Sequence, residues 1–268
     1  MSLAMLYWGG YGRADDALLA WRKVVSLDPD VPWQLPLVAL MWFDLGDQAA
    51  ADRWLTAMRV PDQRHVVTYV IDIAIKLGRG EIGAASRDAE NLLALDPDNQ
   101  TALWTLGLAD LDAGRPDKAV ERIEAAVPVL FEDTGPVIDA SNYSQAVDLA
   151  FFLQQQGDAT RANRLLDLSM AVVSTIPRMG INGHGSEDFR ILSLQGDIEG
   201  ALAALRRAVD AGWRHAWRVT LTKSPVLEPL RDDPRFQTIV VELEADMAAQ
   251  LERIHDMLAS GELEPFPY

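Results

Sequence analysis

No cysteine occurs among the 268 residues. Disulfides, thiolate nucleophiles and cysteine-ligated metals are therefore excluded, although the absence leaves the compartment open. Long apolar runs are also missing. The longest candidate, Val66 to Leu77, is interrupted by Asp72 and Lys76. It falls short of the roughly 18 apolar residues of a membrane span and reads as a buried helix. No basic start leads into an apolar stretch and a cleavage site, so no signal peptide is legible. Basic residues are scarce: 24 Lys and Arg stand against 40 Asp and Glu, a formal net charge of −16. A body of that sign repels phosphate backbones and anionic head groups, which argues against nucleic acid and membrane surfaces as partners. A purely solubilising role for the acidity is the alternative. Hydrophobic residues at 49% and charged residues at 24% mark a folded chain rather than a disordered one.

Patterns that carry chemistry are missing too. His65, His184, His215 and His255 have no second ligand at a spacing such as HExxH. Glu252 and Asp256 flank His255, but on a face of the last helix that reads as exposed. No GxSxG elbow occurs. The glycine-rich GINGHG, Gly180 to Gly185, lacks the lysine of a phosphate-binding loop and reads as a connection between helices. No catalytic, cofactor-binding or metal-binding residues are predicted, and the chain is not expected to be an enzyme.

What is present is a repeat. YGRADDA (Tyr11 to Ala17), LGDQAAA (Leu45 to Ala51), LGRGEIGAA (Leu77 to Ala85), AGRPDKA (Ala113 to Ala119), QGDATRA (Gln156 to Ala162) and QGDIEGA (Gln195 to Ala201) each follow an apolar helix and precede an Ala-rich one. Their glycines, Gly12, Gly46, Gly80, Gly114, Gly157 and Gly196, lie 34 to 43 residues apart, the interval of one helix-turn-helix unit. Glycine takes the left-handed conformation that ends a helix. The Asp after Gly46, Gly157 and Gly196 caps the next one. A small residue beyond each turn (Ala17, Ala51, Ala85, Ala119, Ala162, Ala201) lets the two helices approach. Apolar residues follow at helical spacing, among them Leu18, Trp21 and Val25, then Leu165, Leu166 and Leu168. Prolines in LDPD (Leu27 to Asp30) and LDPDN (Leu95 to Asn99) end second helices.

The stretch ALWTLGLADLDAGRPDKAVERIEAAV, Ala102 to Val127, resembles the tetratricopeptide repeat family, with Gly107, Gly114, Ala119 and Ala126 at the family's small positions. Ala17, Trp21 and Pro29 carry the likeness in the first repeat, whereas Gln63, Ser174 and Trp213 stand where the family has proline. The resemblance covers about residues 1 to 212 and implies an all-α, right-handed superhelical solenoid of about six helix pairs. Residues 213 to 268 are expected to form a Trp- and Pro-rich segment and a capping helix, packed on the last repeat as one continuous domain. In that helix Phe236, Val240, Leu243, Met247, Leu251, Ile254 and Leu258 share one stripe, which seals the stack or forms an intermolecular seam.

LQGDIEGALAAL (Leu194 to Leu205), Ala211-Gly212-Trp213, Trp217 and PLRDDPRF (Pro229 to Phe236) resemble the endings of tetratricopeptide regions in bacterial multidomain regulators. There such repeats follow winged-helix, nucleotide cyclase or protein kinase domains. The N-terminus enters the pattern inside a repeat, so a fragment of a longer protein is expected. Its location is cytoplasmic, or periplasmic if a membrane segment lies upstream.

In the family, the first helix of each pair lines a concave surface. That implies partner contacts at Trp33, Leu37, Leu40, Val67, Val70, Ile71, Trp104, Leu108, Phe151 and Gln154, with ordinary core packing as the alternative for each. The lysines and asparagines with which some members grip a peptide's terminal carboxylate do not recur. The expected role is a scaffold for a helical or basic, apolar peptide of another protein. Two alternatives stand beside it: a homodimer formed through the N-terminal edge or the last helix, and a small-molecule pocket lined by Trp213, Trp217 and the GINGHG loop.

Overall fold

The computed structural model describes residues 3–27, 35–58, 65–131, 135–178 and 185–265, and all regular structure among them is helical. Six hairpins follow one another: α1 (Leu3–Tyr11) with α2 (Ala14–Leu27), α3 (Leu35–Leu45) with α4 (Gln48–Met58), and α5 (Val66–Arg79) with α6 (Ile82–Leu93). They continue as α7 (Gln100–Asp112) with α8 (Pro116–Ala126), α9 (Tyr143–Gln156) with α10 (Ala159–Val173), and α11 (Glu187–Leu194) with α12 (Ile198–Asp210). No helix among the described residues is long and apolar enough to cross a membrane.

The turn chemistry explains the hairpins. All six turn glycines have positive φ, from 67° at Gly12 to 99° at Gly46, a region where a Cβ would be strained. The carboxylates of Asp47, Asp158 and Asp197 accept from the amides of Ala50 (2.8 Å), Arg161 (3.0 Å) and Gly200 (2.9 Å). These are side-chain caps on otherwise unpaired first-turn amides. Ala17, Ala51, Ala85, Ala119, Ala162 and Ala201 are all buried at the crossings. Leu168 departs from the expectation. It is exposed, because it falls on the outer face of α10 between the buried Leu165, Leu166 and Ser169. Each first helix from α3 to α9 also packs on the first helix of the following pair.

The last part of the chain crosses back over this array. Helix α13 (Trp217–Lys223) packs on α5, and the short 3-10 stretch Pro225–Leu230 packs on α11 and α12. There the Ser193 hydroxyl donates to the Val226 carbonyl at 2.7 Å. The final helix, α14 (Pro234–Ser260), is capped by Asp233, whose carboxylate accepts from the Arg235 amide at 2.8 Å. It packs on α12 and also on α2 and α3. Its apolar stripe faces these helices: Phe236, Leu243, Met247 and Ile254 are buried, and Val240, Leu251 and Leu258 are partly so.

First and last pairs therefore meet. The Trp8 ring lies 4.8 Å from that of His215, and the backbones of Gly12 and Gly212 approach so closely that a side chain on either would collide with the other's loop. At the second turn, the Asp44 carboxylate accepts from the Ala216 amide at 2.8 Å, and its backbone carbonyl accepts from Trp217 Nε1 (3.1 Å) and Arg218 Nε (3.0 Å). Burial raises the Asp44 carboxyl pKa well above the usual carboxylate range, against the Ala216 amide and the Arg218 charge. Trp8 of the N-terminal edge and the buried part of the α14 stripe are thus engaged within the chain, while Leu3 and Tyr11 remain exposed.

Candidate functional site

Between the inner ends of the middle pairs and α13 lies a cavity of about 290 Å3. Its apolar wall comes from Leu77, Ile82, Trp104, Leu108 and Val219, contributed by α5, α6, α7 and α13. Gln100, Asp148, Arg190 and Lys223 supply the polar side. The cavity exists because α13 leans on α5 and leaves α7 uncovered at Trp104, whose ring packs on Phe151 (5.4 Å) and Phe152 (5.3 Å) behind it.

Arg190 organises the polar floor. One guanidinium nitrogen donates to Asp148 Oδ1 at 2.6 Å, and another to both Glu187 oxygens at 2.8 and 3.0 Å. Gln100 Nε2 donates to Asp148 Oδ2 at 2.8 Å and to Ser144 Oγ at 2.7 Å. The guanidinium carbon also stands 5.7 Å from the Trp104 ring centre, within cation–π range. Burial would lower the Arg190 pKa, but Glu187 and Asp148 outweigh it and hold the group charged. Burial of Glu187 raises its carboxyl pKa, with Arg190 opposing. One guanidinium thus holds both carboxylates and balances one of their two charges. No histidine among the described residues lines the cavity. No group of three or more His, Asp or Glu there is arranged to hold a metal ion. The cavity offers an apolar wall beside a polar floor and rim.

The expected contact residues separate into groups. Trp104 and Leu108 line the cavity together. Leu37, Leu40, Ile71 and Phe151 are buried in the core and out of reach of any partner, because neighbouring first helices and the returning C-terminal segment cover them. Val67 and Val70 are half-buried and pack against core residues outside the cavity. Gln154 donates from Nε2 to the Leu194 carbonyl at 2.9 Å and ties α9 to α11. Trp33 lies outside the described residues.

Trp213 and Trp217, expected to line an alternative pocket, are core residues among the described residues. Both rings are buried, Trp213 against Phe189 at 5.4 Å and Trp217 under Asp44. Of the GINGHG loop, all but Gly185 lies outside the described residues. Sequence reasoning missed Gln100, Asp148, Arg190 and Lys223. A signal for Asp148 existed: it is a lone charge in the otherwise apolar stretch AVDLAFFL of α9. Compared with known protein families and with curated proteins, the chain matches none.

Proposed function

We propose that this chain is a non-catalytic binding scaffold of the tetratricopeptide kind. Its six helix pairs form a right-handed superhelical solenoid, and the C-terminal segment closes it. It belongs to a larger regulatory protein of bacterial type and holds a helical or basic, apolar segment of a protein partner. The observation that carries the reading is the cavity at Trp104 and Leu108. Trp104 and Leu108 of α7 and Leu77 of α5 line it, while Leu37, Leu40, Ile71 and Phe151 are buried elsewhere. The partner docks by one apolar anchor, not along the full array. The net charge of −16 favours a partner with basic residues around that anchor.

A random peptide library displayed on phage, selected on the chain, tests this. Recovered peptides carrying an aromatic or aliphatic anchor among basic residues, with binding lost in Leu108→Arg, support the reading. Peptides that bind Leu108→Arg equally well overturn the site, and failure to enrich any sequence overturns the peptide scaffold.

A further inference from the structure

The cavity holds a charge that its own walls do not use. Lys223, in the last turn of α13, is exposed at the rim, and among the described residues its ammonium has no ion pair or hydrogen bond. The hydroxyls of its neighbours Thr220 and Ser224, which also line the cavity, make no hydrogen bond among the described residues. The other cation present, Arg190, is fully engaged by Asp148 and Glu187. Arg190 balances one of those two carboxylate charges, which leaves Lys223 as the cation of the cavity lining open to an incoming anion. Facing this polar rim is the apolar wall of Trp104, Leu108 and Val219.

We infer that the cavity binds an apolar carboxylate. A single aromatic ring or short acyl chain lies against Trp104, Leu108 and Val219. Its carboxylate pairs with Lys223 and accepts from the hydroxyls of Thr220 and Ser224. The inference rests on the cavity being the recognition site and adds a chemical requirement to its occupant. A volume of about 290 Å3 lies at the small end of ligand pockets, roughly 300–1,000 Å3, and suits a body of that size. The apolar wall supplies most of the attraction, since an ion pair at a solvated rim contributes little by itself. Selection for the acid comes from the unfilled donors. Two sources share this chemistry: a free acid, or an acidic side chain next to the apolar anchor of an otherwise basic peptide.

Calorimetric titration separates them with four probes: 3-phenylpropionate, its amide, and two basic peptides that differ only in Phe-Glu against Phe-Gln. Binding of the acid, about tenfold weaker binding of the amide, and loss of that preference in Lys223→Met but not in Lys223→Arg establish the carboxylate site. If 3-phenylpropionate binds and neither peptide does, the occupant is a free acid. If the Phe-Glu peptide binds about tenfold better than the Phe-Gln peptide, the occupant is the partner's side chain. Equal binding of the two peptides and no binding of the acid overturn the carboxylate inference and leave the anchor reading standing. No binding by any probe overturns the inference. Library peptides that lose affinity in Leu108→Arg would in that case keep the scaffold reading intact.

Discussion

Gln250, near the end of the chain, is hydrogen-bonded on both sides of its amide to the first turn. Its Nε2 donates to the Gly12 carbonyl at 2.9 Å, and its Oε1 accepts from the Ala14 amide at 2.7 Å. The side chain is buried, so water does not replace either bond if it is removed. Closure of the array thus depends on a polar plug, flanked by the Arg253–Asp15 and Arg214–Asp246 ion pairs at 2.8 and 2.7 Å. Gln250→Leu strips both partners from buried backbone groups, each costing about 1–3 kcal/mol. Urea unfolding is expected to show a lowered midpoint, with hydrogen exchange accelerated in α1 and α2 first. Unchanged protection in those helices would mean that the two ends hold together without the plug.

His215 makes the same junction sensitive to acid. Burial against Trp8 lowers its pKa to about 4, and among the described residues its buried Nε2 has no hydrogen-bond partner. The unfolded chain binds a proton at the ordinary value of about 6.5. Between those values the unfolded state therefore holds more protons than the folded one. The contribution to stability is complete above pH 6.5 and is lost as pH falls toward 4, about 3 kcal/mol over the interval. His215→Phe keeps a ring beside Trp8 and cannot be protonated. Its stability relative to the parent chain should rise on going from pH 7 to pH 4. Parallel pH profiles for the two proteins would show that the imidazole is not desolvated.

Gly107 meets a steric demand in the middle of α7. A methyl group on its Cα would run into the Phe152 ring, which fills the space where α7 crosses α9. Gly107→Ala gains helix propensity of about 1 kcal/mol and loses about 1–3 kcal/mol by overpacking. A net destabilisation is expected, with part of it restored when Phe152→Leu is combined with it. Thermal unfolding of the two single variants and the double variant gives the coupling. Additive losses would show that the ring does not set the approach of the two helices.

The hairpins were legible from the sequence because their causes are local. A left-handed glycine such as Gly157 and a cap such as Asp158 act within a few residues of their helix ends, and an alanine such as Ala162 marks the crossing. Closure was not legible in the same way. Gly12 reads as one more helix-ending glycine, and only the fold shows that it also makes room for Gly212. Trp217 and Asp44 are separated by most of the chain, and no periodicity links them. The consequence reaches the site. Aligning first helices by their turns named Trp104 and Leu108, which line the cavity. It had no means of knowing that the chain's own C-terminal segment would enclose Leu37, Leu40 and Ile71. The polar residues escaped for a related reason: Asp148, Arg190 and Lys223 come from three helices and converge only after closure.

Arg190 is where the floor of the cavity and the stability of the middle of the chain coincide. Its guanidinium satisfies Asp148 and Glu187, both buried. Arg190→Met keeps much of the volume and leaves two carboxylates without a counterion. Removing one partner of a buried ion pair typically costs about 3–5 kcal/mol. Asp148→Asn should be milder, since its amide still accepts from Gln100 or Arg190 and Glu187 continues to balance the cation. The penalty of Arg190→Met should shrink on acidification, because burial already raises the Glu187 carboxyl pKa and protonation removes one of the stranded charges. Chemical denaturation of Arg190→Met at neutral and mildly acidic pH measures this directly. A loss that is the same at both would mean that the cost is one of packing beneath Trp104 and not of unpaired charge.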